Sequence, residues 1–249
     1  MNDTAYLVDA GAGIVRRAAA AARDRSLKSL QAANLRIVFL THLHSDHTVG
    51  LPDLMLSPWT LGRRVPLEVY GPAGTSAMAQ HLLEAYRVDI ETRTNADGNQ
   101  RDFPKGASVN AHDIRAGIVY KDANVTVTAF ATKHAMESYG YRFDTPDRSI
   151  VISGDTNPAQ ATIDACHGCD VMIHEVGSLA WLATRPPAFQ AFAAKYHTTT
   201  TQLADLASRA KPRLLILYHV QAASRDEVFK EMVDRYNGHV VVGRDLDVY

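Results

Sequence analysis

The sequence predicts an α/β fold in which two sheets pack together and are covered on the outside by helices. Three observations predict it. Short apolar runs alternate with helix-forming stretches at both ends of the chain, and the middle is almost wholly strand-like. No repeat, low-complexity tract or linker splits the chain, so residues 1–249 read as a single domain. With 46 % apolar and 21 % charged residues, a chain of 249 residues can bury a substantial core. A formal net charge of −1 gives no overall basic footprint for nucleic acid. No run approaches the roughly 20 apolar residues that span a bilayer. Met1-Asn2-Asp3 opens no secretory signal either, so a cytoplasmic protein without a membrane partner is expected.

The elements follow in order. Residues 6–8 form a short strand, which Gly11-Ala12-Gly13 separates from an alanine- and arginine-rich helix over 14–25. The β-branched and aromatic run Ile37-Val38-Phe39-Leu40 is a buried strand, and a helical stretch follows to about Ser57. A strand over 67–70 ends at Gly71-Pro72, a helix covers 75–86, and the polar stretch 91–106 reads as a loop. Strands are expected at 109–114, 118–120, 125–131, 139–143 and 150–153. Helix and strand then alternate: 158–166, 171–174, 200–210, 214–218, 225–236 and 240–242. Cys166 and Cys169 stand in Cys-His-Gly-Cys, a spacing that suits a redox pair or half a zinc site. No second pair exists, and the segment reads as a helix end entering a strand, so a structural role is expected.

Chemistry concentrates in Thr41-His42-Leu43-His44-Ser45-Asp46-His47, directly after the strand at 37–40. Alternate residues of an extended segment share a side, so His42 and His44 face the same way. Asp46 and His47 follow where the chain turns toward a helix. Three imidazoles and a carboxylate within six residues are a ligand set for a borderline cation, above all zinc. A dinuclear site needs more, and the ends of later strands offer His134, Asp155 and His219, where open sheets gather ligands.

This ordered set resembles the metallo-β-lactamase superfamily, in the branch of ribonuclease Z and the zinc arylsulfatases and phosphodiesterases. The resemblance covers nearly the whole chain from Ala5. It implies a four-layer αβ/βα metallo-β-lactamase sandwich with two zinc ions at one edge, manganese or iron being alternatives. By matching motifs, His42, His44 and His134 would hold one metal, Asp46, His47 and His219 the other, and Asp155 would bridge. His174-Glu175-Val176 looks like ribonuclease Z's His-Glu-Ala-Thr stretch and His197-Thr198-Thr199 like its His-Ser-Thr. The implied catalytic residues are Asp46, orienting the nucleophile, and His197, oriented by Glu175 to protonate the leaving group or stabilise charge there; His174 would be structural or support a neighbouring ligand. The alternative for His197 is a cap on the helix at Thr200. Two cations sharing a water would lower its pKa to about 7 for attack on phosphorus, sulfur or carbonyl carbon.

Two departures from the family stand out. Ribonuclease Z carries its tRNA-gripping arm between the positions of His134 and Asp155, where this chain has only two strands and a turn, which speaks against tRNA processing. Relatives also have an extra strand and a Gly-Thr-Gly type loop before the position of Ala5. The sandwich is therefore expected to lack its first N-terminal strand, unless Met1 is internal to a longer product. Trp59, Trp181, Phe189, Phe192 and Tyr196 are candidates for an aryl-binding wall, core or an oligomer contact, and Arg185-Pro186-Pro187 suggests a loop or lid. The expected function is hydrolysis of small phosphodiesters or aryl sulfates by a homodimer, with nucleic acid not favoured. The alternatives are a ribonuclease Z without its arm, a β-lactamase or lactonase, and a non-enzymatic binding protein.

Overall fold

The computed structural model describes residues 4–249, which form two compact units divided after Ile114. In the first, β1 (Tyr6–Val8), α1 (Ile14–Asp24), β2 (Ile37–Phe39), α2 (Ser45–Thr48), α3 (Leu51–Thr60), β3 (Leu67–Gly71), α4 (Thr75–Ala85), α5 (Arg87–Thr94) and β4 (Val109–Asp113) follow one another. The four strands lie in the order β1-β2-β3-β4, all parallel. Parallel neighbours need crossovers, and the helices supply them. α1 buries Val15, Ala18 and Ala21 at helical spacing and leaves Arg16 and Arg17 exposed. Val15 and Ala18 pack with Val38, Leu40, Leu51, Leu54, Met55, Leu67 and Val69 in one apolar core.

Arg63 is buried at the end of this core, only 1 % exposed. Its guanidinium donates to the carbonyls of Leu35, Leu54, Met55 and Gly106, which offsets much of the cost of burying a cation. Burial, with a smaller contribution from Arg36, lowers its pKa to about 10. The stretch 91–106 is less loop-like than its polarity suggests. Residues 91–94 end α5, and Pro104–Ala107 form a 3-10 turn. α5 buries no residue. Side-chain pairs support it instead, Arg93 with Asp89 at 2.9 Å and Arg87 with Glu91 at 3.2 Å, which hydrophobic periodicity cannot reveal.

The second unit runs β5 (Gly117–Lys121), β6 (Thr126–Ala131), β7 (Tyr139–Asp144), β8 (Ser149–Ile152), α6 (Gln160–Cys166), β9 (Val171–Gly177), α7 (Leu179–Ala183), α8 (Pro187–Tyr196), α9 (Thr200–Ala210), β10 (Leu214–Gln221), α10 (Arg225–Val233) and β11 (Val240–Val242). Its seven-stranded sheet has the order β11-β10-β9-β8-β7-β6-β5. The hairpin-linked strands β5 to β8 are antiparallel, and β8 to β11, joined by helical crossovers, are parallel. Met172, Val176, Leu215 and Leu217 bury one face of the sheet against Leu203, Leu206, Ala207, Val228 and Met232.

Cys166 and Cys169 are joined in a disulfide within this core. His167 and Gly168, both in left-handed conformations, make the tight turn between them. Arg185-Pro186-Pro187 is a short connection between two helices: Pro187 opens α8, where a missing N–H costs nothing. Among the described residues, no helix is long and apolar enough to cross a membrane.

Candidate functional site

In the first unit, β2 delivers the chain to Thr41 and the cluster turns into α2. His44 is still extended and precedes the helix, whereas Asp46 and His47 lie within it. The rings converge: His42 Nε2 lies 3.0 Å from His44 Nδ1, and the His42 and His47 centroids are 4.1 Å apart. Two imidazole nitrogens that close share either a proton or a cation. Zn–N bonds of about 2.0–2.1 Å at tetrahedral angles would hold ligand nitrogens about 3.3 Å apart, so the pair fits a common ion. Asp46 is the exposed member, with Oδ2 3.6 Å from His47 Nε2.

Asp9 organises this half-site, and sequence reasoning missed it. Its carboxylate accepts from Thr41 N at 2.7 Å and Thr41 Oγ1 at 3.0 Å, and takes His47 Nδ1 at 2.7 Å. That fixes the His47 tautomer and leaves Nε2 for a cation. Asp9 has a φ of 61°, rare for a residue with a side chain and a sign of local strain. The available signal was an acid directly after one parallel strand, beside a neighbour that ends in histidines. Gly50 matters for the same contact. Its N–H donates to the Ala10 carbonyl at 2.8 Å, and a Cβ there would overlap the carbonyl oxygen of Gly11.

In the second unit the candidates come from five separate segments. His134 follows β6, and its Nδ1 lies 3.1 Å from the Tyr196 carbonyl oxygen. Asp155 follows β8 and is 3 % exposed. His219 was expected to end a strand, but it lies inside β10, where the pairing with β9 shifts register between Tyr218 and Val220. This bulge, with a φ of 45° at His219, turns the imidazole to within 3.5 Å of Asp155 Oδ2. His134, Asp155 and His197 each offer a ligand atom within 4.8 Å of the others.

Glu175 on β9 is fully buried and takes His197 Nδ1 at 2.9 Å. It also accepts from Thr156 N at 2.6 Å, one residue beyond Asp155. His197 does not cap α9. Thr199 does, in a capping box with Gln202, which leaves His197 extended with Nδ1 4.0 Å from Asp155 Oδ2. His174 points into the core, fully buried, its Nδ1 2.7 Å from the Glu175 carbonyl. Desolvation lowers its pKa to about 4, and Nε2 has no hydrogen-bond partner among the described residues. A neutral imidazole donating from Nδ1 satisfies both facts. Of the aromatic candidates, Trp59 is core, wholly buried with its indole N–H on the Phe103 carbonyl. Trp181, Phe189, Phe192 and Tyr196 instead form a chain of ring contacts, and Phe192 lies 5.6 Å from His197.

Each unit thus presents imidazoles with one nitrogen fixed by an oxygen acceptor, together with a carboxylate. That donor set suits divalent cations of the zinc type.

Comparison with known proteins agrees with this chemistry. The family model described as "Beta-lactamase superfamily domain" matches residues 4–220. A Ribonuclease Z of Mycobacterium sp. (strain KMS) is 32 % identical over 220 residues, covering 86 % of this chain and 73 % of the relative. A Ribonuclease Z of a Mycobacterium bovis BCG strain is 29 % identical over 251 residues, covering 97 % and 86 %. Among solved structures, the metallo-beta-lactamase fold protein YhfI from Bacillus subtilis superposes with a TM-score of 0.70 at 18 % identity, covering 98 % of this chain and 86 % of its own. The short form of human tRNase Z gives 0.66 at 20 % identity, covering 99 % and 88 %. At these identities the structural likeness bears on the fold alone.

Proposed function

The chain belongs to the metallo-β-lactamase superfamily, and on that premise we propose that it is a dinuclear zinc phosphodiesterase. Membership makes it a metal-dependent hydrolase of ester bonds. The ligand assignment rests on the order of the motifs: His42, His44 and His134 for one ion, Asp46, His47 and His219 for the other, Asp155 for both. Residues 1–249 act in this reading as one catalytic domain, in the cytoplasm and as a homodimer. When bound, the ions supply activation of the attacking water near neutral pH and neutralise charge on the ester oxygens.

The observation that carries the phosphodiester reading is the buried His197–Glu175 pair beside Asp155. Glu175 holds Nδ1, which leaves Nε2 of His197 to give a proton to a departing oxygen. A nitrophenolate departs without that help, an unactivated phenolate needs some of it, and an alkoxide of a nucleotide or alkyl diester needs most. A built-in proton donor therefore favours phosphodiesters over aryl sulfates. Small diesters are favoured over tRNA, because β7, β8 and one short turn fill most of the interval between His134 and Asp155. The second reading, cleavage of RNA ends, is favoured by the named relatives, which match most of this chain.

The test compares hydrolysis of bis-p-nitrophenyl phosphate, p-nitrophenyl sulfate and an unprocessed tRNA by zinc-loaded protein, with Asp155→Ala as the control. Turnover of the phosphate diester that is lost in the control is the expected result. Sulfate turnover alone would overturn the phosphodiester reading, and efficient tRNA cleavage would promote the second one. Two bound zinc ions on an inert protein would remove both. Light scattering of the purified chain tests the dimer.

A further inference from the structure

The segments that carry Glu175 and His197 are tied together from behind by one residue that belongs to neither. Glu231, on α10, accepts from Thr200 Oγ1 at 2.5 Å, from Leu179 N and Ser178 Oγ at 2.9 Å, and from Ala180 N at 3.1 Å. Ser178 lies three residues after Glu175, and Thr200 three after His197. A single carboxylate therefore receives donors from both segments, at the same remove from each member of the pair. Around it, Gly177 N donates to the Thr198 carbonyl and Ser178 N to the Gln221 carbonyl, each at 2.8 Å, and the Gln221 side-chain amide lies 3.1 Å from His197 Nδ1. Ser178 Oγ also contacts Glu227, one turn before Glu231.

We propose that Glu231 is a positioning residue for the His197–Glu175 pair, holding the end of β9 and the start of α9 at the separation that keeps the two side chains in contact. This rests on the reading of His197 as proton donor. Burial raises the pKa of Glu231, but the hydrogen bonds from Thr200, Leu179, Ala180 and Ser178 outweigh it and hold the carboxyl below its ordinary range. It is thus an ionised acceptor at neutral pH, suited to gather four donors. Capping α7 alone would not require the Thr200 bond, which joins α10 to α9 and not to α7.

The experiment uses full-length zinc-loaded protein and two diesters that differ in the help they need, methyl p-nitrophenyl phosphate and methyl phenyl phosphate. His197→Ala sets the scale: its loss should be roughly 10²-fold greater on the phenyl ester, as expected for a removed general acid. Glu231→Ala, and Thr200→Val, which severs only the arm to α9, should show the same preference at about 10-fold, in kcat and not KM. In metal-free protein, the His197 Nδ1 proton should give a slowly exchanging downfield NMR resonance that broadens in both variants. Equal losses on both esters, or a lowered Tm with an unchanged imidazole resonance, would reduce Glu231 to a structural role and overturn the proposal. If His197→Ala itself shows no preference, or the wild type is inert, the proton-donor reading fails and the proposal goes with it.

Discussion

The two candidate half-sites are built in opposite ways. In the first unit, four candidate ligands fall within six residues, and a strand followed by a helical turn suffices to make their rings converge. In the second, His134, Asp155, Glu175, His197 and His219 come from five segments, and sheet register brings them together. Both halves hold a residue with positive φ, Asp9 in one and His219 in the other. Asp9 orients a histidine, whereas His219 is itself a candidate ligand. The local half needs one strained support; the dispersed half puts the strain on the ligand. A contiguous motif thus tolerates change in its surroundings better than a dispersed one, because fewer tertiary contacts define it.

Four experiments can break or sharpen that contrast. The largest effect is expected for Asp155→Ala, which removes the carboxylate common to His197 and His219: turnover of a phosphate diester should fall about 10³-fold or more. Metal analysis should show reduced stoichiometry, and full retention of activity would remove the dispersed half from the mechanism.

Next is the pH dependence of folding through His174. Its folded pKa of about 4 lies below the ordinary 6.5, so the unfolded chain takes up a proton that the fold refuses. The associated stability is complete above pH 6.5 and is lost as the pH falls toward 4, about 3 kcal/mol across the window. Urea titrations at pH 7 and pH 4.5 should show this loss in the wild type and a flatter profile in His174→Leu. Parallel profiles would mean that His174 charges in the folded protein.

Asp9→Ala tests the local half. Loss of the partner that fixes His47 should weaken zinc affinity by about 10- to 100-fold and leave the fold intact. Calorimetric titration with zinc measures it, and unchanged affinity would show that the cluster needs no support. The smallest effect is expected for Thr199→Ala. Removing this cap should cost α9 about 1 kcal/mol by chemical denaturation. It should lower turnover modestly through His197, two residues away; a larger drop in turnover than in stability would tie the cap to the pair.

How much was legible follows the same division. Most strands and helices were readable, since apolar runs and helix formers repeat with the periods that burial imposes. α5 was hidden, because it buries nothing and depends on charge pairs between its own turns. The extension of β10 through His219 was hidden too: a bulge interrupts the alternation that marks a strand, and only the partner strand reveals it. Asp9 carries no motif, and only the parallel pairing of β1 with β2 brings it beside Thr41 and His47.

By itself, the sequence determined the family and which candidate ligands are on offer, because residue identity and order along the chain are one-dimensional properties. The tertiary structure decided which oxygens orient His47, His134 and His197, that Thr199 and not His197 caps α9, and that one carboxylate on α10 joins the segments carrying Glu175 and His197. Those depend on hydrogen bonds between residues far apart in the chain. Such bonds form only once strand register and crossover helices have fixed the backbone to within a fraction of an ångström, and no local pattern encodes that.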